Sequence, residues 1–101
     1  MSVRAPQNFQ ARPAVGSVDL LEYEVIQEQA STLGRLTQNF EKALAALSAA
    51  PDDEALLDAA GEALWFFVIQ RELCGLRNTE TVLRDYRVPA AVRLRMGVAR
   101  R

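Results

Sequence analysis

The sequence contains no histidine and a single cysteine, Cys74. Imidazole is the usual general base near neutral pH and the commonest metal ligand. Without it, catalytic triads, zinc sites and most transition-metal sites lose their ordinary residues. A lone thiol forms no disulfide within the chain, which suits a reducing compartment, and the cytoplasm is the expected location. Long apolar runs are missing as well. The largest is Leu64 to Ile69, six consecutive bulky apolar side chains in "EALWFFVIQRELCGL", against the ~20 that cross a bilayer. The first sixteen residues, "MSVRAPQNFQARPAVG", hold no apolar stretch of the kind a secretory signal needs. The expectation from these absences is a protein that is not an enzyme, binds no cofactor or metal, and does not enter a membrane.

What remains is an ordinary globular composition, half apolar and one quarter charged. The net charge of −1 hides a strong asymmetry. Residues 17–76 carry eleven acids against Arg35, Lys42 and Arg71, a net of −8. Residues 77–101 carry seven arginines against Glu80 and Asp85, a net of +5. Such a basic segment either reaches for nucleic acid or lies on the acidic helices of its own fold.

Periodicity predicts helices throughout. Residues 1–16, with Pro6, Pro13 and Gly16, read as an extended or disordered arm. Residues 17–97 form the single domain and 98–101 a frayed tail. Asp19 and Glu22 are spaced as a capping box, with Val18 and Tyr23 as a hydrophobic staple. From there apolar residues recur at helical spacing to Leu47. A second apolar stripe, Leu20, Tyr23, Ile26 and Ala30, makes residues 18–30 apolar on two faces. A second helix is predicted from about Asp53 to Cys74 or Leu76, stopped at Gly75. Its stripe of Leu56, Ala60, Ala63, Phe67 and Cys74 is suited to face the first helix in an antiparallel hairpin. That register sets Leu47 near Leu56, Phe40 near Ala63 and Leu36 near Phe67. "TETVLRDY" predicts a short helix capped by Asn78 or Thr79. "VPAAVRLRMG" predicts another, with Pro89 in its first turn and Gly97 as its stop.

Two stretches, "DLLEYEVIQEQASTLGRL" and "ALWFFVIQRELCGLRNTETVLRDYRVPAAVRLRMG", resemble a family of small bacterial all-helical proteins of unknown function. The resemblance covers about residues 5–97, including "PQNF". It implies an all-helical fold and supplies no catalytic or binding residues. A looser similarity is to the flagellin-synthesis regulators of the FlaF type, through Leu64-Trp65 and the Pro89 to Arg95 segment alone.

The fold class expected is all-α: a long antiparallel helical hairpin plus two short C-terminal helices, paired into a dimeric bundle. One helix cannot cover both sides of the second. Large aromatic side chains bury ~150–250 Å² each, so Trp65 and Phe66 left in water would form a patch of the kind that marks an interface. Leu20, Tyr23, Ile26, Trp65, Phe66 and Ile69 are therefore the interface candidates. The function expected is a non-enzymatic protein–protein interaction or regulatory module acting as a homo-oligomer, with a further protein partner unidentified. The alternative is a nucleic-acid-linked regulator using Arg84, Arg87, Arg93 and Arg95 as phosphate contacts. Cys74 shares the stripe of Phe67 and reads as an inert core thiol. Glu22, Glu24 and Glu28 read as helix-start and solvated carboxylates, since the histidine partner of a diiron site is absent. Gln29, on the apolar stripe, is expected to hydrogen-bond across an interface.

Overall fold

A computed structural model gives the backbone of residues 13–97 and side chains from Asp19 onward. Among these residues there are four helices and no strand: α1 (Pro13–Ala49), α2 (Glu54–Leu73), α3 (Thr79–Tyr86) and α4 (Ala90–Leu94). The chain is all-helical. Residues 1–12 of the expected arm and the expected tail at 98–101 lie outside the described residues, as does the Val18 side chain of the expected staple.

Pro13 to Gly16, expected in the arm, form the first turn of α1. Proline's fixed φ suits a first helical position, where its missing N–H would have had no partner. Asp19 and Glu22 consequently sit inside the helix rather than at its start. α1 runs for 37 residues, about 55 Å at the helical rise.

The start and stop signals of α2 act as the sequence implies. Asp53 is the N-cap, and its carboxylate accepts a hydrogen bond from the Leu56 N–H at 3.0 Å. At the other end Gly75 takes φ +78°, which frees the Leu76 and Gly75 amides to donate to the Arg71 and Glu72 carbonyls. These paired bonds form a Schellman stop. Asn78 does precede α3, but with φ 64° its side chain makes no capping bond.

Phe40, Leu47, Leu57, Ala60, Leu64, Phe67, Leu83 and Val92 form the buried core. Its centre is a trio of aromatic rings. Phe40 stacks on Phe67 at 5.0 Å between centroids, and Tyr86 meets both edge-on at 5.3 and 6.0 Å. Phe67 thus takes Phe40 as its stacked partner, one turn beyond the Leu36 that a regular register offers. Bringing three rings together at favourable stacked and edge-on distances accounts for the shift. At the far end of the contact, the Gln70 amide donates to the Gln29 carbonyl at 3.3 Å.

α4 lies on α2 at a point where side-chain volume is excluded. A Cβ at Gly61 would stand 2.7 Å from the Arg95 Cβ and 3.0 Å from the Arg95 carbonyl carbon. Arg95 is held there by Glu54 at 2.7 Å and Asp58 at 3.3 Å. Gly61→Ala is therefore expected to push α4 off α2, at the ~1–3 kcal/mol typical of overpacking. Urea denaturation followed by circular dichroism measures it; a change below a few tenths of a kcal/mol would show that α4 yields freely.

The four helices do not make a sphere. The radius of gyration is 19.5 Å and the principal extents are 66 × 29 × 20 Å, whereas a compact domain of this length has a radius near ~13 Å. The elongation comes from α1, which outreaches the other described helices.

Candidate interaction surface

The chain leaves α2 at Gly75, level with Gln29 of α1: the Cys74 thiol reaches the Gln29 carbonyl at 3.7 Å, beside the Gln70 amide. Every residue from Asp19 to Glu28 is exposed. Leu20, Leu21, Tyr23, Val25 and Ile26 each show 56–62% of their surface to solvent. This is ordinary core composition without a core around it. Leu21, Glu22, Val25 and Ile26 form an open, shallow and mainly apolar surface along it.

A second apolar face runs down α2. Leu64 and Phe67 of the six-residue block are buried, and Val68 and Ile69 are half-buried. Phe66 remains 46% and Trp65 40% exposed, with Leu73 at 61% and Leu76 at 43%. Helix geometry explains the division: Phe67 stacks on Phe40 of α1, Leu64 three residues earlier shares that inward side, and Phe66 is turned toward solvent. Gly97 shields part of Trp65; a Cβ there would lie 3.1 Å from the indole ring.

Of the six interface candidates, then, Leu20, Tyr23, Ile26, Trp65 and Phe66 are exposed and Ile69 is half-buried. They fall into two patches, one on the projecting part of α1 and one on the outer face of α2. Leu21, Val25, Leu73 and Leu76 belong with them, though the sequence reading did not single them out for this role. Their signal was present in the helical spacing itself.

The arginines divide differently. Arg93 pairs with Glu80 at 2.8 Å, and Arg95 with Glu54 and Asp58. Arg84 and Arg87 are exposed. Two of the four suggested phosphate contacts are thus engaged with acids of their own fold. Arg71 has a structural part, donating to the Arg77 carbonyl at 2.7 Å while its guanidinium lies 5.9 Å from the Phe67 ring centre. Gln29, expected to bond across an interface through its amide, is engaged by its backbone carbonyl within the chain.

Tyr86 links the core to the surface. Its hydroxyl donates to the Glu41 carboxylate at 2.7 Å. Burial raises the phenol's pKa, and the hydrogen bond and negative charge of Glu41 raise it further, against a smaller opposing effect of Arg71. Beside Tyr86, at the turn joining α1 to α2, a mainly apolar cleft of about 450 Å³ is lined by Leu44, Leu47, Pro51, Leu57 and Pro89. It forms where α3 and α4 fold back across the turn, a meeting that no single helix pattern reports. Among the described residues no group of three or more His, Cys, Asp or Glu is placed to hold a metal ion. No described helix is long and apolar enough to cross a membrane.

Among the described residues, fold and surface together define a small all-helical protein with two uncovered apolar faces. The chain belongs, over residues 1–101, to a family described as a family of unknown function (DUF6665). No curated protein and no solved structure matches it. Nothing in these comparisons supports the similarity to FlaF-type regulators.

Proposed function

We propose that this protein is a non-enzymatic interaction module that works as a homodimeric helical bundle, α1 and α2 forming an antiparallel hairpin in each copy. The observation that carries this reading is the projecting part of α1, where five large apolar side chains stay more than half exposed. Soluble monomers seldom leave such contiguous surface in water, and patches of this kind mark association sites. Arg93 and Arg95 are held in internal ion pairs, which favours protein association over phosphate binding by these two side chains.

Trp65 stands at the edge of the α2 face, partly shielded by its own chain. Trp65→Asp is expected to weaken self-association about tenfold, equivalent to ~1.4 kcal/mol, with helicity retained. Light scattering coupled to gel filtration over a dilution series reads the midpoint. An identical series for variant and parent would remove Trp65 from the interface.

A further inference from the structure

We infer that the occupant of the projecting part of α1 is the α2 helix of a second copy, in a reciprocal pair with two such contacts. This rests on the self-association proposed above and specifies its geometry.

Ile26, Leu33, Phe40 and Leu47 recur every seven residues along α1, the repeat of a helix–helix seam. Phe40 and Leu47 are buried, and Leu33 packs against the core. Ile26 continues the same line but is 62% exposed. The seam that receives α2 therefore extends past the point where α2 ends.

α1 before Gln29 is about 24 Å long, while α2 with its 20 residues spans about 30 Å. Two α2 helices laid end to end, one from each copy, match the roughly 55 Å of α1. A two-fold axis passing beside α1, perpendicular to it between Ser31 and Thr32, produces this arrangement. It sets the two α1 helices side by side in opposite directions and places each α2 over the partner's uncovered seam. Val25 of one copy then lies near Phe66 of the other, and the reverse contact is equivalent, as two-fold symmetry requires.

The same chain supplies both faces. Phe66, Ile69 and Leu73 are spaced three and four residues apart, the complementary stripe of a coiled-coil-like contact, and Leu76 is exposed just past the end of the helix. A specific interface of standard size covers roughly 800 Å² per partner, and the two patches together supply nine exposed large apolar side chains to one. A second copy thus satisfies both faces at once.

The test uses the full chain with Cys74→Ser, carrying either Val25→Cys or Phe66→Cys, positions exposed enough to change without emptying the core. The expected result is that mixing the two variants under mild oxidation gives a disulfide-linked heterodimer, identified by mass. Each variant alone should give little cross-linked product. Circular dichroism confirms that both retain their helices, and light scattering of the reduced proteins reports the association separately. A dimer mass with rapid Val25→Cys self-cross-linking would overturn this arrangement while leaving the homodimer intact. A monomer mass for the parent chain would overturn both.

Discussion

Phe40→Ala is expected to destabilise the protein by about 3–5 kcal/mol, the range for deleting a fully buried phenylalanine from a packed core. Phe40 has no exposed surface. It is the ring against which both Phe67 and Tyr86 are arranged, at 5.0 and 5.3 Å. Its removal therefore opens a cavity and unseats two further aromatics from the contacts that join α1, α2 and α3. A domain of this kind has only ~5–15 kcal/mol of net stability, so the variant should be partly unfolded near physiological temperature. Urea denaturation at one fixed protein concentration measures the change, because association would add to apparent stability by mass action. A loss under 1 kcal/mol would mean that the aromatic trio is not the centre of the core.

Val25→Asp is expected to weaken self-association more than 100-fold while leaving the fold of each chain in place. Val25 is 56% exposed in the single chain, so the substitution removes little packing there. In the pair, the same position becomes covered, and an aspartate there must lose its hydration without gaining a cation. Burying an unpaired charge is among the costliest changes an interface can suffer. The two variants thus separate by readout. Phe40→Ala lowers the urea midpoint, whereas Val25→Asp moves the dissociation midpoint in a dilution series. Dilution behaviour equal to that of the parent chain would show that the projecting seam has no partner in solution.

How much of this was legible in the sequence depends on how local its physics is. The bounds of α2 were readable because they are fixed by neighbours a few residues apart: the Asp53 carboxylate on the Leu56 amide, and Gly75 in a conformation that costs other residues more. The start of α1 was misplaced at Asp19, since a good capping box competes there with Pro13. The surplus of apolar surface at residues 18–30 was visible as two stripes on one helix. That Phe66 faces outward while Phe67 faces inward also follows from helical spacing. What the pattern left open was non-local. The Phe40–Phe67 pairing depends on Tyr86, 46 residues after Phe40, folding back to complete the trio. The pairing of Arg95 with Glu54 and Asp58 required α4 to settle over Gly61. Neither Tyr86 nor Arg95 carries a periodic signal that names its partner.

The solution mass of the unaltered chain tests the account most directly. Sedimentation equilibrium over a concentration series is expected to show a species of twice the 11.2 kDa chain mass that dissociates only on dilution. A single 11.2 kDa species persisting to high concentration, with the leucines and valine of early α1 still in water, would contradict it.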